Sequence, residues 1–173
     1  DAACACPDVA EEYGWPIGYW CVGKVTDMSE LFKDLSTFNE DISGWEVGQV
    51  TTMKGMFQGA SNFTGNISSW DTSAVTDMSW MFWGASSFNP DDLSNWDTSA
   101  VASMKSMFDG ASSFNGNILN NDQSKWDTSA VTNMIEMFKG ATSYSQNLCA
   151  WKDSFPYSNA ADIFADSGCT LTY

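Results

Sequence analysis

The sequence predicts a repeat fold of the α/β class: a parallel solenoid of short strands and short helices, with disulfide-linked caps at its ends. Three observations carry this expectation. First, WDTSAVTDMSWMFWGASSFN, Trp70–Asn89, returns as WDTSAVASMKSMFDGASSFN from Trp96 and as WDTSAVTNMIEMFKGATSYS from Trp126. Worn copies are WEVGQVTTMKGMFQGASNFT from Trp45 and the half-copy VTDMSELFKDLSTFNE from Val25. Second, anchor residues keep step. Val25, Val50, Val75, Val101 and Val131 are 25, 25, 26 and 30 residues apart, and Trp45, Trp70, Trp96, Trp126 and Trp151 are 25, 26, 30 and 25 apart. Self-similarity at such a period marks a stacked array whose units bury their apolar faces against one another. Third, each copy has an apolar pattern of its own. Val75, Met78, Met81, Phe82 and Ala85 stand at offsets 0, 3, 6, 7 and 10, one face of a helix.

Residues 1–24 lie outside the repeat as read and carry Tyr13, Trp15, Tyr19, Trp20, two prolines and three cysteines. They read as an N-terminal cap, because an array exposes an apolar face at each end. The repeats then run over 25–158. The first half of each is V-T-x-M-x-x-M-F-x-G, read as a two-turn helix with Thr76 as N-cap and Gly84 as the residue after its end. Gly59, Gly110 and Gly140 take the same place, and Asp34 replaces them in the first copy. So short a helix does not stand alone and needs its neighbours. The second half reads as a short strand around Ile42, Ile67, Leu93, Ile118 and Leu148. Asp41, Asn66, Asp92, Asn117 and Asn147 precede those aliphatics as turn-capping residues. The Met and Trp stripes read as core, since Met fills gaps against aromatic rings. The insertion Leu119–Lys125 maps to a loop on one face. Residues 159–173 read as a partial repeat and C-terminal cap, with Ile163-Phe164 keeping the Met-Phe register.

Five cysteines cluster at the two ends, with no zinc-type spacing. Cys149–Cys169 is the expected disulfide, closing a loop of about 20 residues worth roughly 3 kcal/mol in chain entropy. Cys21 is expected to pair with Cys4 or Cys6, leaving one cysteine over. Such cross-links belong to an oxidising compartment. The chain begins at Asp1, which suits a mature chain with its signal peptide removed. Asn62 and Asn66 both fit the N-glycosylation pattern.

WDTSAVTDMSWMFWGASSFN and its copies resemble the BspA-like repeat, a leucine-rich-repeat relative of mycoplasma surface lipoproteins and of bacterial, protist and algal surface proteins. The likeness covers about residues 25 to 165. It implies a right-handed solenoid, an extracellular or cell-surface location and, loosely, adhesion. It brings no catalytic residues.

Function is less legible. Net charge is −15, from 22 acidic residues and seven lysines with no Arg or His. Nucleic acid and anionic membrane are therefore not expected partners. No apolar run reaches the roughly 18–20 residues of a membrane span. Without His the common general base is missing, and Asp71, Asp97 and Asp127 repeat with the scaffold as turn residues would, so the chain is expected not to be an enzyme. Trp80 and Trp83 stand out, because they occupy slots that are mostly polar in the other copies. Exposed there, they would anchor a protein or a glycan. The alternative is a structural subunit whose copies stack end to end into a filament. No cofactor is expected. The weak alternatives are a calcium row of Glu46, Asp71, Asp97 and Asp127, and a mineral- or ice-binding row of Thr72, Thr98 and Thr128.

Overall fold

The computed structural model describes residues 16–119, 126–148, 151 and 155–168. Among these residues there is no α-helix and no β-strand. Regular structure among them consists of single-turn 3-10 helices, such as Ile17–Tyr19 and Tyr157–Asn159, and of isolated parallel bridges such as Thr52–Asp77 and Asp77–Ser103. The expected α/β solenoid of short helices and short parallel strands is therefore not what forms. Nor do the described residues show disulfide-linked caps, since Cys4, Cys6, Cys149 and Cys169 lie outside them.

The expected helix at 76–84 is replaced by two consecutive tight turns. Met81 N–H donates to the Met78 carbonyl at 3.2 Å and Ala85 N–H to Phe82 at 3.0 Å. The third residue of each turn, Trp80 and Gly84, has positive φ, 58° and 68°, as a type II turn requires. Every second N–H leaves the coil altogether. Those of Met78, Trp80, Phe82 and Gly84 donate to the carbonyls of Ser103, Lys105, Met107 and Asp109 in the next coil, at 2.8–3.0 Å. The reason is satisfaction of the backbone. A two-turn helix strands four N–H and four carbonyl groups at its ends. The turn pair gives its polar groups partners within the coil or along the stack. The apolar offsets suit both geometries, and Val75, Met78, Met81, Phe82 and Ala85 are all fully buried.

The expected strand does not extend for a related reason. Ile42, Ile67, Leu93 and Ile118 are buried as anticipated. The residue before each, however, turns its side-chain oxygen onto the N–H two places on: Asp41 to Ser43, Asn66 to Ser68, Asp92 to Ser94 and Asn117 to Leu119, at 2.8–3.1 Å. That Asx turn bends the chain at once. Among the described residues the ladder contact left here is the Asp92–Asn117 bridge, with Leu93 N–H on the Asn117 carbonyl and Asn117 N–H on that of Asp91.

Coils stack through aromatic columns. Phe32, Phe57, Phe82, Phe108, Phe138 and Phe164 form one file with centroids 5.4–5.7 Å apart. Phe38, Phe63, Phe88, Phe114 and Tyr144 form a second at 5.5–6.1 Å. Within a coil the two rings lie 3.9–4.2 Å apart and nearly parallel. Offset stacks of this kind add about 0.5–1.5 kcal/mol per pair beyond burial. A third file runs through Trp96, Trp126 and Trp151 at 6.5 and 6.2 Å. Four indole N–H groups of this column donate to a carbonyl in the coil before their own: Trp45 on Ile17, Trp70 on Ile42, Trp96 on Ile67 and Trp126 on Leu93, at 2.8–3.2 Å. The bond to Ile17 shows that this register continues back to residue 17. There IGYWCVGKV, 17–25, aligns with ISGWEVGQV, 42–50.

Candidate recognition surface

The paired turns create equivalent outer slots in every coil. One holds the first positive-φ residue: Glu30, Gly55, Trp80, Ser106, Glu136 and Asp162. Three residues on comes Lys33, Gln58, Trp83, Asp109 or Lys139. Trp80 is half-buried and Trp83 is 41% exposed. The Trp80 ring lies between coils, with Lys54 Nζ and Lys105 Nζ each 5.3 Å from its centroid. Lys54 is exposed and Lys105 half-buried. The Trp83 indole N–H donates to Asp109 Oδ2 at 3.2 Å. Glu30–Lys33 and Glu136–Lys139 form ion pairs at 2.9 and 2.6 Å on the same face.

The electrostatics follow from this packing. Burial pushes the Asp109 carboxyl above the usual carboxylate range, against the opposing pull of Lys139 and of the Trp83 N–H. The Lys139 hydrogen bond holds Glu136 below its ordinary value, and Glu136 in turn raises Lys139. Lys33 is raised by its hydrogen bond to Glu30.

The acidic row has a different use. Asp71, Asp97 and Asp127 accept the N–H of Ser73, Ser99 and Ser129 through Oδ1 at 2.8–3.1 Å. The hydroxyls of Ser73 and Ser99 add bonds of 2.7 and 2.6 Å. These carboxylates cap turns. Asp71 and Asp97 also line an open cleft of about 500 Å³ with Ser68, Ser69, Trp70, Thr72, Ser73 and Asn95. Among the described residues no group of three or more His, Cys, Asp or Glu is placed to hold a metal ion. The threonine row is not a surface at all. Thr72, Thr98 and Thr128 are buried, and the hydroxyls of Thr72 and Thr98 donate to the carbonyls of Asp97 and Asp127. A different threonine file is exposed: Thr51, Thr76 and Thr132, with hydroxyls on the carbonyls of Thr26, Thr51 and Ala102 in the preceding coil.

Asn62 and Asn66 are both exposed, and Asn66 Oδ1 accepts the backbone N–H and hydroxyl of Ser68 at 3.1 and 2.7 Å. Cys21 is half-buried. Its expected partners Cys4 and Cys6, and the expected Cys149–Cys169 pair, lie outside the described residues. Lys54 and Lys105 were missed by sequence reasoning. They belong to different coils, and only the stack brings them to Trp80. The nearest signal was their shared slot, one residue before the positive-φ position.

No curated protein and no solved structure matches the chain. The family model described as "Mycoplasma protein of unknown function, DUF285" matches it twice, over residues 8–121 and 91–168. The overlapping matches together span most of the length, so this repeat chain belongs to the DUF285 family of mycoplasma-type proteins.

Proposed function

We propose that the chain is a non-enzymatic recognition module of BspA-like type, displayed at the cell surface or outside the cell, and that it binds a protein or glycan through the Trp80–Trp83 face. One observation carries this reading. A coil that needs neither residue for its core spends two tryptophans on its outer slots, one of them at positive φ. The left-handed backbone belongs to the turn and recurs at Glu30, Ser106, Glu136 and Asp162, so what sets Trp80 apart is a large ring in a slot that is Gly or polar in the other coils. Flat, rigid aromatics are the usual anchors of recognition surfaces. The lack of histidine and the turn-capping role of the repeated aspartates support a binding role over catalysis. No helix among the described residues is long and apolar enough to cross a membrane. Replacing Trp80 and Trp83 together by Ser should weaken binding to the native surface or to glycans at least about tenfold, the effect expected for paired anchors. Unchanged binding by a folded double variant would remove this face from the account.

A second reading, a subunit that stacks end to end into an extracellular filament, has its own observation. At the first-coil end Leu31 and Leu35 are about half exposed. At the other end the backbone N–H groups of Asp162, Phe164 and Asp166, equivalents of those that bridge coils elsewhere, have no acceptor among the described residues. Negative-stain microscopy separates the two: dispersed short particles support the module, long fibres the subunit.

A further inference from the structure

We propose that Asn62 carries an N-linked glycan and that its neighbour Asn66 does not. This rests on the extracellular location proposed above. Both residues head an acceptor triplet, Asn62-Phe63-Thr64 and Asn66-Ile67-Ser68. The repeat separates them. Asn66 follows the scaffold. Asp41, Asp92 and Asn117 hold its place in other coils, and each turns its side-chain oxygen onto the N–H two residues on, as Asn66 does. Ser43 and Ser94 match Ser68 in the same way. The turn therefore accounts for the second triplet. Asn62 departs from the scaffold. Thr37, Ser87, Ser113 and Ser143 hold its place in other coils, while Asn39, Asn89, Asn115 and Ser145 hold that of Thr64. This coil has N-F-T where the next two have S-F-N. Both exchanges are needed for the triplet, and either alone creates nothing.

The second exchange also interrupts a ladder. Asn39 Oδ1 accepts the Thr64 N–H at 2.9 Å, Asn89 Oδ1 that of Asn115 at 2.8 Å and Asn115 Oδ1 that of Ser145 at 3.0 Å. Thr64 does not continue the column, and among the described residues the Asn89 N–H has no acceptor. A residue placed against the scaffold's own bonding pattern points to a use outside it. The surroundings suit a glycan. Phe63 is fully buried, so Asn62 and Thr64 on either side of it face outward, and both are exposed. Among the described residues the Asn62 carboxamide makes no hydrogen bond, so Nδ2 takes a sugar without breaking one. Its backbone N–H stays on the Ser36 carbonyl at 3.1 Å. The Thr64 hydroxyl accepts from Asn39 Nδ2 at 3.1 Å, so the transferase reads it before the coils stack. The donor is a lipid-pyrophosphate-linked oligosaccharide. Asn62 Nδ2 attacks the anomeric carbon, the bond from that carbon to the phosphate oxygen breaks, the lipid pyrophosphate leaves and one amide proton passes to base.

The test is expression of the full chain in a eukaryotic secretory pathway behind a host signal peptide, with mass spectrometry of the chain from cells and medium. The chain should be heavier than its sequence. An amidase that releases N-linked glycans and leaves Asp at the attachment point should remove the added mass, with the Asn-to-Asp conversion mapped to Asn62. N62Q and T64A should lose the added mass completely, while T64S and N66Q keep it. N62Q breaks no hydrogen bond, so it should melt with the deglycosylated wild type, which separates loss of the site from loss of the fold. Unmodified mass in cells and medium, added mass that survives N62Q, or conversion at Asn66 alone would overturn the proposal. Unmodified mass with surface binding still lost in W80S/W83S strikes the glycan and keeps the recognition face. A glycan on Asn62 with binding unchanged in W80S/W83S keeps the glycan and strikes the face.

Discussion

Met78–Ala85 and Met104–Ala111 are the same piece of backbone used twice. Both bury Met, Met, Phe and Ala completely. Both send four alternate N–H groups to the following coil, at 2.8–3.0 Å in one and 2.7–2.9 Å in the other. They differ in the outer slots, where the first carries Trp80 and Trp83 and the second Ser106 and Asp109. The inward residues and the backbone ladder are thus sufficient for the coil, and the outer slots are free to vary even where φ is positive. Differences between coils in those slots are where binding chemistry has room to differ.

The strongest way to break this equivalence is at the core. Phe82→Ala and Phe108→Ala each remove a ring stacked on both sides. Each should cost about 3–5 kcal/mol, and the two losses in denaturant unfolding should agree within about 1 kcal/mol. Unequal losses would mean that the coils are not interchangeable. A smaller effect tests the turn. Gly84 has φ 68°, and a Cβ there would meet nothing nearer than Gly59 Cα at 3.9 Å. The penalty for Gly84→Ala is therefore conformational, about 1–2 kcal/mol. That is a fall of roughly 2–8 °C in melting temperature. No fall would argue against the left-handed turn.

The smallest effect is electrostatic. Asp109 has its folded-state pKa raised, chiefly by burial. An acid raised in this way supports folding below its unfolded pKa, near 4, and loses that support as pH rises through the folded value. Asp109→Asn keeps an acceptor for Trp83 but removes the titration. The stability of the wild type relative to this variant should therefore decline as pH rises past about 4. Asp27 and Glu136 run the other way, being lowered by Ser29 and Lys139, so their support fades as pH falls.

The period, the buried residues and the turn-capping Asx columns were legible because side-chain pattern alone determines them. The local backbone was not. Offsets of 0, 3, 6, 7 and 10 place the same residues inward on a helix and on two linked type II turns, so periodicity does not separate the two. Gly84 reads equally well as a helix stop and as the third residue of a turn. Gly55 was the discriminating residue, since a glycine in mid-helix is costly and a glycine at positive φ is not. Trp80, Glu30 and Ser106 in the same slot hid that signal. Of the candidate site, Trp80 and Trp83 were visible as departures from the repeat. The lysines around Trp80 were not, because their meeting depends on how coils 25 and 26 residues apart are stacked.

The central claim is that alternate amides of each turn pair bond across coils and not along a helix. Scalar couplings transmitted through hydrogen bonds, measured by NMR on labelled protein, report it directly. Amide nitrogens of Met78, Trp80, Phe82 and Gly84 should couple to the carbonyl carbons of Ser103, Lys105, Met107 and Asp109. Couplings from Phe82 and Gly84 to the carbonyls four residues earlier would restore the helix and contradict the stack.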